Sequence, residues 1–226
     1  MLTGIPVTLK VTYHPVMAES EARGANSAAA TAARWVWYGG RPCLDLVNTR
    51  RNREADAVDY LRRPADLADW LEAAGLVTGR AEVDDTLLAD VRGLREAIDA
   101  GLRAAVTGVP FPAAALSELN SWLAALPAQP PQLRLSGGVA VLHSPASSRQ
   151  PRQVLGAIAL DAAEVLGTDL RARLRICPGP GCGGRFADDS PAGRRRWCSM
   201  AVCGNRRKAA THRVTISRRP PSSGDR

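Results

Sequence analysis

Four cysteines near the carboxyl end of the chain form two pairs with the same spacing. Four residues separate Cys177 from Cys182 and Cys198 from Cys203, and fifteen residues lie between the pairs. Zn²⁺ binds four thiolates as a tetrahedron, and two turns can supply them if the chain between them folds back as a hairpin. We therefore predict one structural zinc bound by these four cysteines. Because sulfur occupies every coordination position, none remains for an activated water, and the metal does not indicate hydrolysis.

Disulfide bonds are the alternative for paired cysteines. Residues 1–12 lack the basic start and the uninterrupted apolar run of a secretory signal. A cytoplasmic location is therefore expected, and thiols stay reduced there, which disfavours disulfides. Cys43 lies far upstream beside Pro42 and Leu44, and we expect it to be a small buried apolar residue and not a fifth ligand.

Charge is distributed unevenly along the chain. Residues 1–170 contain 16 Lys and Arg against 19 Asp and Glu, whereas residues 171–226 contain 14 against 3, so the net charges are −3 and +11. Thirteen of the 14 cations in the second part are Arg. Guanidinium groups bind phosphate oxygens in pairs and can reach guanine edges, so nucleic acid is the expected partner. The alternative is a cationic segment that is only solvated.

The cations near the cysteines fall into three groups. Residues 170–176 alternate, which predicts a strand with three arginines on one face. A run of three arginines precedes Trp197, which we expect to cover the sulfur cluster. A helix from Cys203 to about Arg213 would be basic on most sides, and this suits phosphate contact better than base reading. The predicted nucleic-acid contacts are Arg171, Arg173, Arg175, Arg194, Arg195, Arg196, Asn205, Arg206, Arg207, Lys208 and Arg213. For Asn205 a helix cap is the favoured role.

The region before the cysteines has the periodicity of a helical domain. Apolar residues recur at helical spacing after Pro64, after Asp84 and Asp85, after Pro112, and from about Arg152 to Leu166. Alternating Leu and Val residues around the two glycines at 137 and 138 predict a β-hairpin. A region of about 130 residues can bury its own core, whereas the short cysteine segment depends on its metal.

No catalytic site is indicated. Asp45, Asn48 and the arginines at 50, 51 and 53 could line a small-molecule or anion pocket, but local capping and ion pairing are the favoured roles. The sequence has no Ser/His/Asp constellation and no Gly-x-x-x-x-Gly-Lys loop, and its three histidines are isolated. We predict that the protein is not an enzyme.

Two segments resemble a known family. The run Trp197-Cys198-Ser199-Met200 followed by Cys203-Gly204-Asn205-Arg206 resembles the signature of CGNR zinc fingers. Phe186, Asp188 and Ser190 match the spacing that this family places between its cysteine pairs. Residues 39–49 are similar to the opening of the ABATE domain that precedes the finger, and the match continues to about residue 166. The resemblance implies a helical domain related to stress-induced transcription regulators, followed by a DNA-binding zinc module that the four cysteines ligate.

Together these observations predict a mainly α fold of the α+β type. A flexible leader is expected at residues 1–34 and a helical ABATE-like domain with one β-hairpin at 35–168. A CGNR-type zinc finger is expected at 169–216, in which a β-hairpin is followed by a helix as in a treble clef, and a disordered tail at 217–226.

The predicted function is that of a zinc-dependent DNA-binding transcriptional regulator whose helical domain senses a ligand or mediates assembly. The alternative is a zinc-stabilised adaptor for protein or RNA without sequence-specific DNA binding. No membrane partner is expected, and the sequence does not identify a small-molecule ligand for the helical domain.

Overall fold

The computed structural model of the chain describes residues 34–77, 79–126, 132–143 and 150–210. Arg213, the predicted tail at 217–226 and the predicted leader up to residue 33 lie outside these ranges.

Helices make up most of the part that precedes the cysteines. They are α1 (Pro42–Val47), α2 (Pro64–Ala73), α3 (Asp85–Thr107), α4 (Ala113–Ala124) and α5 (Pro151–Gly167). Strands β1 (Arg50–Arg51) and β2 (Val58–Asp59) form a short antiparallel pair after α1. Strands β3 (Gln132–Ser136) and β4 (Val139–His143) form a hairpin between α4 and α5. The four predicted helices and the predicted hairpin are thus confirmed, and α1 and the β1–β2 pair add to them.

Helix α3 is the centre of this domain. Its first turn is capped by Asp84, whose carboxylate accepts a hydrogen bond of 2.7 Å from the amide of Leu87. It ends at Gly108, whose φ of 73° is the left-handed conformation that glycine adopts without steric cost. Between these ends, the apolar residues at 91, 94, 98 and 102 are buried and α3 packs against α1, α2, α4 and α5. The stripe at helical spacing therefore faces the core, as predicted.

Cys43 lies in this core, on α1. Its side chain is completely buried, and burial raises the pKa of the thiol well above its usual value. Its backbone amide donates a hydrogen bond of 3.0 Å to Asp161 of α5. The expectation that Cys43 is buried is confirmed, and Cys43 lies outside the group of the other four cysteines.

The cysteine segment follows α5 without a long connection. A 3₁₀ turn at Asp169–Arg173 leads into β5 (Leu174–Ile176), which pairs antiparallel with β6 (Arg185–Ala187). A π-turn at Met200–Gly204 then continues into helical residues 205–210. A β-hairpin followed by a helix is the arrangement that was predicted for a treble-clef-like module.

The predicted strand over residues 170–176 is wrong in its first half. Thr168 caps the 3₁₀ turn by accepting a hydrogen bond of 3.3 Å from the amide of Leu170. This places Arg171 and Arg173 on the turn and only Arg175 on β5. The three arginines therefore do not share one strand face, because the side-chain cap favours a turn over extended chain.

Within the described ranges, no helix has the length and apolar character needed to cross a membrane.

Candidate metal centre

The first cysteine pair lies on the turn that joins β5 to β6. The amide of Cys177 donates to the carbonyl of Gly184 at 2.8 Å, so strand pairing continues into the turn. Gly181 and Gly183 have φ values of 62° and 58°, a conformation that residues with a Cβ rarely adopt. The glycines beside the cysteines therefore allow the tight turn that brings Cys177 and Cys182 together.

The second pair is positioned by the start of the C-terminal helical segment. The Ser199 hydroxyl accepts a hydrogen bond of 3.3 Å from the amide of Val202, and the Ser199 carbonyl accepts one of 2.9 Å from the amide of Cys203. The prediction that Asn205 caps this helix is wrong, because the helical segment already begins at Met200 and Ser199 caps it. Asn205 lies at the end of the π-turn and is exposed.

The four sulfur atoms form a compact cluster in which all lie within 4.8 Å of one another. The Sγ of Cys198 is 3.6 Å from that of Cys182 and 3.7 Å from that of Cys203. A disulfide would require about 2.05 Å. A tetrahedron of sulfurs about 2.3 Å from a zinc ion has edges of about 3.8 Å. The cluster has the size of a site for one structural zinc, and the cofactor prediction is confirmed.

Acid–base chemistry at the cluster also fits a bound cation. Burial raises the pKa of Cys203, whereas hydrogen bonds from the thiols of Cys182 and Cys198 lower the pKa of Cys177. Four adjacent thiolates repel one another, and each charge opposes ionisation of the next. A coordinating divalent cation offsets this repulsion and deprotonates the thiols that it binds.

Aromatic side chains enclose the sulfur cluster. Phe186 on β6 is completely buried against it, and Trp197 and Tyr38 pack on it while remaining partly exposed. The prediction that Trp197 covers the sulfurs is confirmed. Tyr38 belongs to the segment before α1, so part of the cover comes from the other half of the chain.

A single aspartate organises the loop between the two pairs. Asp188 is buried and accepts hydrogen bonds from the Ser190 hydroxyl at 2.5 Å, the Ser190 amide at 3.1 Å and the Arg195 amide at 2.9 Å. The hydrogen bond from the Ser190 hydroxyl lowers the pKa of Asp188. Asp188 and Ser190 therefore shape the loop that carries Arg194–Arg196.

An amide side chain on the helical domain pairs with the backbone of β6. Asn48, at the end of α1, donates from Nδ2 to the carbonyl of Arg185 at 2.8 Å. Its Oδ1 accepts from the amide of Arg185 at 2.8 Å. The pair is buried and joins residues 137 positions apart in the sequence. The Asn48 side chain thus hydrogen-bonds to β6 as a neighbouring strand would. No local sequence pattern predicts this contact.

The side chain of Arg185 extends this connection to α3. It is completely buried, and its Nε donates to Asp99 at 2.7 Å. Its Nη2 also lies 3.2 Å from Glu54. The sequence signal that could have indicated this ion pair is Asp99, a carboxylate at the edge of the apolar stripe of α3. Among the cations that the structure describes after residue 170, Arg185 is the one that the predicted nucleic-acid contacts did not include.

Replacing Asn48 tests this backbone pairing. We expect Asn48→Ala to lower the free energy of unfolding by about 2–4 kcal/mol, because it leaves a buried N–H and a buried C=O without partners. Asn120→Ala, at an exposed position of α4, is the matched control and should change the free energy by less than about 0.5 kcal/mol. Urea unfolding of the zinc-loaded chain measures both. Equal stability of Asn48→Ala and the unchanged protein would contradict the interpretation.

The predicted nucleic-acid contacts separate into two sets. Arg195 donates from Nε to the carbonyl of Trp197 at 3.1 Å and lies over the Phe186 ring at 4.9 Å. Arg175 donates to the carbonyls of Ala172 and Leu174 at 2.7 and 2.8 Å. These two side chains are partly buried and support the backbone. The other predicted cations in the described part of the chain are exposed: Arg171, Arg173, Arg194, Arg196, Arg206, Arg207 and Lys208.

Two family models match the chain. Residues 40–169 match the ABATE family model, whose description is "Putative stress-induced transcription regulator". The chain belongs to the ABATE family. Residues 173–214 match the CGNR zinc finger, in the same order along the chain. No curated protein matches the chain. The resemblance found in the sequence is confirmed for both segments.

The ABATE match contains α1 to α5, and the CGNR match begins at the end of the 3₁₀ turn. We refer below to the ABATE domain and to the finger in this sense. Asn48 and Asp99 belong to the ABATE domain and Arg185 to the finger, so their hydrogen bonds connect the two matched segments. Both models describe regulatory or zinc-finger families and neither describes an enzyme.

Proposed function

We propose that this protein is a zinc-dependent DNA-binding regulator of transcription in which the finger contacts DNA and the ABATE domain senses a ligand or mediates assembly. The observation that carries the proposal is the set of seven exposed cations around a zinc centre. Zinc and the hydrogen bonds of Asp188 hold the loop that carries two of them, Arg194 and Arg196. Guanidinium groups that are already held in place bind phosphate oxygens at a lower entropic cost than those on a mobile tail, which must be ordered on binding.

A groove beside the cysteines favours a backbone phosphate as the bound group. It is open and has a volume of about 330 Å³, with Arg175, Arg194, Arg195 and Arg196 on its walls. Arg196 lies over the Trp197 ring at 5.4 Å and is exposed, while Arg194 is exposed at the rim. Cations of this kind fix position on a duplex but carry little sequence information. The proposal is therefore for DNA binding with a strong electrostatic contribution.

Salt dependence is the decisive test of the DNA proposal. If the finger neutralises about five phosphates, the slope of log affinity against log salt concentration should be about −4 to −5 on a duplex. Fluorescence anisotropy with the zinc-loaded full chain and a labelled duplex measures this slope. A slope near zero, or no binding at low salt, would favour the second candidate, a zinc-stabilised adaptor for protein or RNA.

Two arginine variants assign the contacts. Arg194→Gln combined with Arg196→Gln should make the slope less negative by about 2, because each lost phosphate contact releases one counterion fewer. Arg62→Gln combined with Arg80→Gln removes two exposed arginines of the ABATE domain and is the charge-matched control. It should leave the slope unchanged. If the control and the double variant change the slope equally, the effect comes from net charge and not from these contacts.

The division into a leader at 1–34, an ABATE-like domain at 35–168, a finger at 169–216 and a tail at 217–226 is part of the same proposal, as is a cytoplasmic location. The family matches at 40–169 and 173–214 support the boundary between the helical domain and the finger to within a few residues.

A further inference from the structure

A cleft of about 440 Å³ lies between the ABATE domain and the finger. The side chains of Arg50, Arg51 and Tyr60 contribute from the ABATE domain, Tyr38 contributes from the segment before it, and Arg206 contributes from the finger beside the cysteines. Sites for small molecules in proteins enclose roughly 300–1,000 Å³ and often lie between domains. The cleft therefore has the size and place of a small-molecule site.

The wall of the cleft carries cations and aromatic rings together. Arg50, Arg51 and Arg206 line it together with Cys182, Cys198 and Cys203 of the zinc centre, and none of the described residues on its wall is an Asp or a Glu. Tyr38 and Tyr60 supply rings, while Val36 and Val202 supply apolar surface. This combination suits an anion with an apolar or aromatic body, because the guanidinium groups bind the charge and the remaining wall covers the body.

The arginines of the wall are incompletely satisfied. Arg51 lies over the Tyr60 ring at 4.2 Å and its Nη2 donates to the carbonyl of Arg34, while within the described part of the chain its buried Nε has no hydrogen-bond partner. The contact of Arg50 with Glu96 is 3.4 Å long, and that of Arg206 with the carbonyl of Pro180 is also 3.4 Å. The Arg51 Nε is not accessible from the cleft, so Arg50 and Arg206, whose contacts are long, are the guanidinium groups that a ligand can engage.

Backbone geometry at Asn52 is a second, independent observation. Asn52 lines the cleft and has a φ of 54°, the left-handed conformation that is uncommon outside glycine. Among the described residues it is the one non-glycine residue with positive φ. Such conformations persist where the surroundings impose them, and they are frequent at ligand sites. Here the conformation turns the chain directly after Arg50 and Arg51.

We propose that this cleft binds a small organic anion, a carboxylate or phosphate on an aromatic or apolar body. The ligand contacts both the ABATE domain and the finger. It binds Arg206, one of the cations that we propose to contact DNA. It therefore lowers affinity for DNA. This last step rests on the proposed function, whereas binding of the anion does not.

Calorimetry on the zinc-loaded full chain tests the binding step, with benzoate and phenyl phosphate as probes. Inorganic phosphate and benzyl alcohol separate the charge from the apolar body. We expect at least one aromatic anion to bind about tenfold more tightly than either of the latter two, since one well-placed charged group or apolar body changes affinity by about that factor. Arg50→Gln and Arg206→Gln should each weaken the binding about tenfold, whereas Arg80→Gln, outside the cleft, should not.

Zinc content and circular dichroism establish that each variant is folded before it is compared. If no aromatic anion binds, or if binding is the same in Arg50→Gln, the arginines only offset the negative charge of the zinc–thiolate centre and the proposal is wrong. If Arg50→Gln instead loses affinity for duplex while no small anion binds, the cleft takes a backbone phosphate of DNA, which also overturns it.

The effect on DNA is measured separately. Phenyl phosphate or benzoate at saturation, whichever binds more tightly, should weaken duplex binding by at least about fivefold. Unchanged duplex affinity in the presence of the bound anion would refute the coupling. If the protein binds no duplex at all, the proposed function is wrong, whereas the anion site is still supported by the calorimetry.

Discussion

Cys198→Ser should lose its zinc. We expect the metal content to fall from one ion per chain to below about one tenth, because structural zinc contributes about 10–16 kcal/mol to the folding of small metal-dependent modules. Residues 177–210 should then lose their fixed structure, since the Cys198 sulfur lies against those of Cys182 and Cys203 in the cluster that would bind the metal. Elemental analysis after dialysis gives the metal content. One zinc per chain in the variant would show that Cys198 is not a ligand.

Thiol labelling shows how far the loss of structure extends. In Cys198→Ser the three remaining thiols of the finger should react rapidly with a disulfide reagent, whereas Cys43, which is completely buried, should stay protected if the ABATE domain is intact. The ABATE domain should remain folded but lose stability, because Asn48 and Asp99 lose their partners on β6. Cys43→Ala is the matched control and should keep one zinc. Rapid labelling of Cys43 would mean that the two segments unfold together.

Arg185→Met should be strongly destabilising. We expect a loss of about 3–5 kcal/mol in the free energy of unfolding, because removal of one partner leaves the buried Asp99 carboxylate incompletely compensated. Arg53 remains 3.5 Å from Asp99, so part of the compensation persists. Arg173→Met is the control in the same segment. Its guanidinium is exposed and donates one hydrogen bond of 3.1 Å, so a change of at most about 1 kcal/mol is expected.

A double-mutant cycle separates the ion pair from loss of packing. Arg185→Met combined with Asp99→Leu should cost less than the sum of the two single changes by at least about 1 kcal/mol, because the double variant contains no unpaired charge. Guanidinium unfolding of the four proteins in excess zinc measures the coupling. Additive costs would show that the 2.7 Å contact does not contribute to stability.

Local signals in the sequence predicted the elements well. Two cysteine pairs with identical spacing identified the metal ligands, and Asp84 and Gly108 marked the ends of α3. These signals succeed because a turn or a helix end depends on residues that are neighbours in the sequence. The same reasoning failed at residues 170–176 and at Asn205, where Thr168 and Ser199 cap turns and compete with the pattern.

Contacts between distant residues could not be predicted in this way. Asn48 and Arg185 are 137 positions apart, and nothing in the local sequence of either indicates the other. Arg194 and Arg195 were given the same predicted role, yet Arg195 supports a loop and Arg194 is exposed, and Arg185, which was given none, is buried. Their roles differ because burial and available carbonyl groups differ, and both depend on the folded arrangement.

The hairpin of the finger is continuous with the core of the ABATE domain. Leu174 on β5 is buried in that core, and Ile176 and Ala187 pack against it. A fragment cut at the finger boundary would therefore expose an apolar strand face and the uncompensated Arg185, the kind of surface on which excised fragments aggregate. The zinc finger of this protein is therefore not an independent module. Fused to another protein, it would need residues there that replace the hydrogen bonds of Asn48 and Asp99.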